Sequence, residues 1–162
     1  LTGATGLIGS SVAKYLANNG IEVLCLGRNV LNKTEINDLF GAKNITYLAL
    51  DMENILSLMD EALNINWIPG DSCVFFNFAW QGIDKLTDGK FIDQIINVTN
   101  CSNAVLSAKK LGCHKFVNAG SIEETFAESF LKDQSKNKSY NSTQSNYALS
   151  KLASRDMCKM LS

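Results

Sequence analysis

The chain has 162 residues, of which 46% are hydrophobic, and its 15 basic and 16 acidic side chains leave a net charge of −1. This length is enough for one domain with its own core. Balanced charge without a basic block excludes the usual electrostatic signature of nucleic-acid binding. The longest apolar run, CVFFNFAW, is too short to span a bilayer, and no signal peptide is recognisable.

Short apolar runs alternate with helical patterns along the chain. Runs that predict strands lie at 21–27, 44–51, 71–79 and 113–121, each bounded by Gly, Asn or Asp. Patterns that predict helices lie at 8–19, 33–40, 54–64 and 91–111. Strands that are apolar on both faces and alternate with helices indicate an α/β fold, a parallel sheet covered on both sides.

Two of the predicted helices have a clear apolar stripe, the pattern of a helix that packs on a core. On the first helix the stripe consists of Ile8, Val12, Tyr15 and Leu16. On the long helix it consists of Phe91, Ile95, Val98, Val105 and Leu111, and Gly112 is the expected stop.

The remaining local features are ordinary for a cytoplasmic protein, which is the predicted location. The five cysteines, at 25, 73, 101, 113 and 158, form no CxxC pair and no metal-ligand spacing. We expect them to be reduced and structural. His114, the only histidine, is expected in a turn. The polar segment 131–146 predicts a surface loop that borders a substrate site.

A glycine-rich turn, TGATGLIGS, lies between a predicted strand end and a helix. Gly3 permits a tight turn, Gly6 lets the backbone approach a pyrophosphate, and Gly9 lets the helix lie close to the strand. The N–H groups of the helix N-terminus suit the phosphates. The pattern predicts a Rossmann-type, doubly wound sheet that binds a dinucleotide. The residues expected at the cofactor are Gly3, Thr5, Gly6, Leu7, Ile8 and Gly9.

The end of the next strand indicates which cofactor is bound. An acid usually stands there to hold the ribose hydroxyl of NAD, but this chain has Gly27 followed by Arg28. Without the carboxylate a 2′-phosphate meets no repulsion, and a guanidinium can hold it through two hydrogen bonds. We therefore predict NADP(H), with NAD as the alternative.

The stretch SNYALSK places Tyr147 and Lys151 four residues apart, on one face of a helix. A free phenol is a poor base at neutral pH, and a nearby cation favours phenolate. Ser121, at the end of the predicted strand KFVNAGS, can aim a hydroxyl at the same substrate oxygen. These three residues are the predicted acid–base site.

Together these motifs resemble the extended short-chain dehydrogenase/reductase family, the NAD(P)-dependent nucleotide-sugar epimerases, dehydratases and reductases. The resemblance rests on TGATGLIG, LALDME, FNFAW, INVTN, FVNAGS and YALSK in the expected order. It implies that Ser121, Tyr147 and Lys151 are catalytic and that Lys151 also holds the nicotinamide ribose. It also places Asp51 and Met52 at the adenine. Residues that it implies along the cofactor cleft are Phe78, Ala79, Trp80 and Tyr147.

Two departures from the family pattern and one match to it are notable. NFAW replaces an HLAA-like run of small residues, so Trp80 is expected to narrow the site. Glu123 falls where dehydratases place a catalytic Glu, but Ile122 replaces the preceding Asp. Glu123 is thus either a base or a plain loop carboxylate. Asn97 matches a recurring family position whose role the sequence does not indicate.

The expected organisation is a single cofactor-binding domain over residues 1–162, without the C-terminal lobe that holds the nucleotide-sugar in this family. The expected activity is that of a 4-keto-sugar reductase or epimerase on a nucleotide-sugar. Alternatives are a 4,6-dehydratase that uses Glu123 as base, or a non-catalytic dinucleotide-binding module. We expect the full-length protein to be a homodimer without nucleic-acid or membrane partners.

Overall fold

The computed structural model describes residues 1–82, 90–133 and 144–161, and the chain forms two compact units. The first unit comprises Leu1–Ala79 and Leu106–Asn118, and the second comprises Trp80–Val105 and Ala119–Ser162. Most of the predicted surface loop 131–146 lies outside the described residues.

The first unit contains the parallel strands predicted from the sequence. They are β1 (Val23–Gly27), β2 (Ile45–Ala49), β3 (Val74–Asn77) and β4 (Lys115–Asn118). β1 pairs with β2 and β3 pairs with β4, both in parallel. Thr2 forms parallel bridges to Leu26 and Asn77, so the opening segment of the chain runs between β1 and β3. The predicted α/β fold with parallel strands is confirmed.

The strands differ in burial because they differ in position. Every residue of β1 is buried, whereas Thr46 and Ala49 of β2 are exposed. β1 has a neighbour on both sides, since it pairs with β2 and is bridged by Thr2, while β2 pairs only with β1 among the described strands. The expectation of strands buried on both faces therefore holds for β1 and not for β2.

Six α-helices are described. They are α1 (Leu7–Asn18), α2 (Lys33–Phe40), α3 (Leu58–Asn64), α4 (Phe91–Lys110), α5 (Ile122–Lys132) and α6 (Ser145–Leu161). A 3₁₀ helix, Met52–Ser57, leads into α3. α2 begins with a capping box, in which Asn32 and Glu35 bond each other's backbone N–H groups. α5 is an addition to the predicted elements, since no helix is predicted over 122–132.

The prediction for the buried face of α1 is wrong at two positions. Ile8 is 60% exposed and Tyr15 is 69% exposed. The buried residues are the small ones, Gly9, Ala13 and Ala17. Because Gly9 has no side chain, the helix lies close to the turn below it, and only small residues fit along that contact.

The predicted stripe of α4 is confirmed at its C-terminal end and wrong at its start. Val105 is 2% exposed, but Phe91 is 63% exposed. In the first turns the buried side chains are polar ones, Gln94 and Asn97, with 0% and 5% exposure. These amides are buried because they form hydrogen bonds, which periodicity of apolar residues does not reveal.

No helix among the described residues is long and apolar enough to cross a membrane. The five cysteines are free thiols, and two pairs of them approach each other. The sulfurs of Cys73 and Cys113 are 2.9 Å apart, and those of Cys101 and Cys158 are 3.5 Å apart. Cys25 is buried in β1, as predicted, whereas Cys73 precedes β3 and is half-buried.

Candidate active site

The glycine turn has no room for side chains at two of its three glycines. Gly3 has a φ of +66°, and a Cβ there would lie 2.9 Å from the backbone nitrogen of Ala79. A Cβ at Gly9 would collide with the carbonyl oxygen of Gly3. Gly6 is the N-cap of α1. The spacing thus has the structural basis that the sequence predicts, a tight turn directly against a helix.

The N-terminus of α1 is suited to an anion. No side chain among the described residues caps it, and Thr5, Gly6, Leu7 and Ile8 are exposed. The first N–H groups of a helix lack partners within the helix and lie at the positive end of its dipole. In a 12-residue helix that follows a glycine turn, these groups can hold the phosphates of a dinucleotide.

A buried hydroxyl that sequence reasoning missed organises the ends of the central strands. Thr2 is 1% exposed, and its hydroxyl donates to Asn77 Oδ1 at 2.6 Å. The hydroxyl oxygen of Thr2 also accepts the N–H groups of Phe78 and Ala79, both at 3.2 Å. Asn77 in turn donates to Asn118 Oδ1 at 2.9 Å. The network fixes Phe78 and Ala79, two predicted cleft residues, next to the glycine turn.

The position where NAD-binding proteins carry an acid is occupied from another strand. A Cβ at Gly27 would collide with the Tyr47 hydroxyl. That hydroxyl donates to the carbonyl oxygen of Asn29 at 2.8 Å and so crosses over Gly27. Arg28, the next residue, is exposed. No carboxylate among the described residues forms an ion pair with its guanidinium.

Asp51 and Met52, the residues expected at the adenine, follow β2 and are half-buried. Asp51 is the N-cap of the 3₁₀ helix, and its Oδ1 accepts the N–H of Glu53 at 3.0 Å. The cap fixes the carboxylate at the carboxyl end of the strand. Sites of open parallel sheets lie at this end of the strands.

Tyr147, Lys151 and Trp80 lie together in the second unit. Lys151 Nζ is 3.7 Å from the centre of the Trp80 ring and 5.9 Å from that of Tyr147. The two rings meet edge to face, with centroids 6.0 Å apart and an angle of 89° between their planes. α6 therefore places the phenol and the ammonium on one face, as predicted, and an indole completes the cluster.

Lys151 is buried, with 5% exposure, and its ammonium donates to the carbonyl oxygen of Ala119 at 3.0 Å. Burial lowers the pKa of Lys151 to about 8, and the charge of Glu124 and the thiols of Cys101 and Cys158 oppose that shift. A lysine with this pKa changes charge close to neutral pH. Such groups are concentrated at functional sites.

Ser121 is the N-cap of α5. It lies two residues after Ala119, whose carbonyl oxygen accepts the hydrogen bond from Lys151. Its hydroxyl oxygen accepts the N–H of Glu123 at 3.3 Å. In return the Glu124 carboxylate accepts the N–H of Ser121 at 2.8 Å. The buried carboxylate at this site is thus Glu124, with 6% exposure, whereas Glu123 is half-buried. Glu124 is not among the residues predicted from the sequence, although the S-x-x-E spacing from Ser121 is the sequence signature of a capping box.

Asn97 holds the loop that carries Trp80. Its amide oxygen accepts the N–H of Gln81 at 3.1 Å, and its amide nitrogen donates to the carbonyl oxygen of Gln81 at 2.9 Å. Three residues earlier on α4, Gln94 Oε1 accepts the indole N–H of Trp80 at 3.0 Å. The role that the sequence left open for Asn97 is therefore to fix this loop on α4.

A cavity of about 400 Å³ lies in the first unit, but none of the predicted site residues lines it. Its walls include the starts of β1 and β3, with Val23, Leu24, Val74 and Phe75. These are amino ends of parallel strands, whereas sites in open α/β sheets lie at carboxyl ends. The cavity is therefore not the cofactor site.

The predicted residues form two groups, one in each unit. The first unit contains the glycine turn with Thr5, Leu7 and Ile8, and also Arg28, Asp51, Met52, Phe78 and Ala79. The second contains Trp80, Asn97, Ser121, Glu123, Tyr147 and Lys151. The first group offers backbone N–H groups and a guanidinium, and the second offers a phenol, an ammonium and a hydroxyl.

A family model described as the NAD dependent epimerase/dehydratase family matches residues 1–162. The chain belongs to this family. The predicted resemblance is thus confirmed over the whole length of the chain. Among curated proteins, none matches the sequence.

Solved structures with the same fold include three cofactor complexes. The enzyme WbmH of Bordetella bronchiseptica with NAD+ has a TM-score of 0.69 at 19% identity, over 99% of this chain and 50% of its own. A mutant UDP-glucuronic acid 4-epimerase of Bacillus cereus, with NAD and a fluorinated UDP-sugar, has a TM-score of 0.64 at 16% identity. The match covers 99% of this chain and 50% of the epimerase. ElxO with NADP has a TM-score of 0.66 at 20% identity, and the match covers 94% of this chain and 61% of ElxO. The chain thus spans about half the length of the first two proteins.

Proposed function

We propose that this chain carries the cofactor-binding and acid–base parts of an NAD(P)-dependent enzyme that acts on a nucleotide-sugar. The observation that supports this most directly is the buried ammonium of Lys151, one helical turn from Tyr147 and hydrogen-bonded to the carbonyl oxygen of Ala119, two residues before Ser121. Family membership and the fold agree with it. The substrate class is favoured by structural neighbours in complex with UDP or with a UDP-sugar.

In this proposal each residue of the second unit has a separate task. Hydride chemistry at the sugar carbon would come from a bound nicotinamide. The phenol of Tyr147 gives a proton to, or takes one from, the oxygen on that carbon. The Ser121 hydroxyl donates a hydrogen bond to the same oxygen. The positive charge of Lys151 favours the phenolate form of Tyr147. The reaction is a 4-keto-sugar reduction or an epimerisation, since both need only these groups.

The first unit binds the dinucleotide in this proposal. The uncapped N-terminus of α1 receives the pyrophosphate, and Gly6, the N-cap, lets the backbone come close to it. Arg28 is exposed and without an ion-pair partner among the described residues, so it can hold a 2′-phosphate. We propose NADP(H) as the preferred cofactor for this reason.

The decisive test is Tyr147→Phe in the full-length protein, assayed with NADPH or NADP+ and a panel of UDP- and dTDP-sugars. Loss of the phenolic hydroxyl removes the acid–base group, so kcat should fall about a hundredfold or more. The dissociation constant of the cofactor should stay within a few-fold of wild type. Tyr15→Phe is the matched control, because Tyr15 is a 69% exposed tyrosine on α1. A Tyr147→Phe enzyme with nearly full kcat would refute the assignment, and a wild type that binds the cofactor without turnover would favour a non-catalytic module.

A further inference from the structure

The indole of Trp80 contacts the buried ammonium at the proposed acid–base site. Lys151 Nζ lies 3.7 Å from the centre of the ring, well within the range of a cation–π interaction. The only hydrogen bond of this ammonium that the described residues show goes to the Ala119 carbonyl oxygen. A buried ammonium loses much of its hydration, and the negative face of the indole replaces part of it.

The ring is held in this position by α4. The Trp80 N–H donates to Gln94 Oε1 at 3.0 Å, and Gln94 is fully buried. Asn97 forms two hydrogen bonds to the backbone of Gln81, the residue after Trp80. The side chain of Trp80 and the backbone of Gln81 are therefore both held by hydrogen bonds from α4.

The other groups around Lys151 favour its charge only in part. Among the described residues, the titratable groups that act on it are the thiols of Cys101 on α4 and Cys158 on α6, the Glu124 carboxylate on α5 and the phenol of Tyr147 on α6. The Glu124 carboxylate is already engaged by the N–H of Ser121. Burial outweighs these charges, because the pKa of Lys151 is lowered to about 8. The indole face is a further contact that favours the charged form.

We propose that Trp80 is a positioning residue, whose indole keeps Lys151 in its ammonium form and in place beside Tyr147. This inference rests on the proposed function for its catalytic meaning, but its physical content concerns only the charge of one lysine. Neutral Lys151 would no longer favour phenolate at Tyr147. Trp80 thus extends the upper pH range over which the acid–base group can work.

The test measures the titration of Lys151 directly by NMR, in full-length protein with lysine labelled at the ε-carbon. The signal that is missing in Lys151→Arg is that of Lys151. In Trp80→Leu the midpoint should move down by about one pH unit, as expected for a cation–π contact with a partly desolvated ammonium. Trp80→Phe keeps a weaker ring and should move it less, in the same direction. Trp67→Leu replaces the tryptophan of the first unit and should leave the midpoint unchanged.

Kinetics provide a second readout that separates charge from simple disruption. The alkaline limb of the pH profile of kcat, scaled to the maximum kcat of each protein, should move down by the same amount in Trp80→Leu, because neutralisation of Lys151 then begins at lower pH. An equal loss of kcat at every pH, or an unchanged Lys151 midpoint in Trp80→Leu, would overturn the proposal. If Trp80→Leu does not fold, an unchanged midpoint in Trp80→Phe overturns it. The NMR result stands even if wild type shows no turnover, so the two proposals can fail separately.

Discussion

Arg28 is the residue that we propose to determine the choice of cofactor. In Arg28→Ala the 2′-phosphate loses a charge-assisted donor pair, which is worth about 1.5 to 3 kcal/mol. We therefore expect NADPH to bind about ten- to a hundredfold more weakly and NADH to bind about as before. Titration of both cofactors against wild type, Arg28→Ala and Arg28→Lys measures this. Equal affinities of wild type for NADH and NADPH would mean that Arg28 is only a surface charge.

A substitution that favours NADH must take account of Tyr47. Gly27→Asp would supply the carboxylate that NAD-binding proteins carry at this position, but its Cβ would collide with the Tyr47 hydroxyl. We expect Gly27→Asp alone to destabilise β1. The swap toward NADH therefore needs Tyr47→Phe in the same chain, with Tyr47→Phe alone as its control.

Glu123 and Glu124 are neighbours in sequence but have different environments. A dehydratase needs a base beside the keto carbon, and the half-buried Glu123 is the residue at the family position. If the enzyme is a reductase or an epimerase, Glu123→Gln should keep kcat within a few-fold of wild type. A collapse of product elimination with intact initial oxidation would instead establish the dehydratase alternative. Glu124→Gln serves as comparison, and it should lower stability because it weakens the cap of α5.

At the scale of elements, Ser121 has a structural task in addition to its proposed chemical one. Ser121→Ala removes the N-cap of α5 and should cost about 0.5 to 2 kcal/mol of stability as well as activity. Ser121→Asn keeps a capping oxygen but has no hydroxyl. We expect Asn to restore most of the stability and little of kcat, as measured by urea unfolding and steady-state assays. Recovery of kcat in the Asn variant would show that the serine acts only through the helix.

The strands and most helices could be predicted because apolar periodicity follows burial when packing is between apolar side chains. It failed where burial has another cause. The start of α4 buries Gln94 and Asn97 because their amides bind the backbone of the preceding loop. α1 buries alanines because Gly9 brings it close to the turn. The tyrosine and lysine of the site were predictable from their spacing, whereas Trp80's contact with Lys151 depends on a loop conformation that no local pattern encodes.

At the scale of the whole molecule, the buried Lys151 links stability to pH. Its pKa is about 8 in the folded protein, below the ordinary value of 10.5. The folded protein therefore binds this proton less tightly than the unfolded chain does. Below pH 8 the lysine is charged in both states, and burial of the charge lowers the free energy of unfolding by its full amount. As the pH rises from 8 to 10.5 the lysine becomes neutral and this loss of stability disappears. The largest effect that this shift allows is about 3 kcal/mol. Lys151→Met has no titratable group at this position, so its stability does not contain this pH-dependent contribution.

We therefore expect the free energy of unfolding of wild type to rise relative to that of Lys151→Met between pH 8 and pH 10.5. Urea unfolding of both proteins at several pH values measures the difference. The comparison is needed because burial raises the pKa of Cys25 to about 11, and burial together with Cys73 raises that of Cys113 to about 12. These thiols ionise first in the unfolded chain and lower stability above about pH 9, but they do so equally in both proteins. Parallel curves over this range would mean that Lys151 keeps its ordinary affinity for the proton in the folded state.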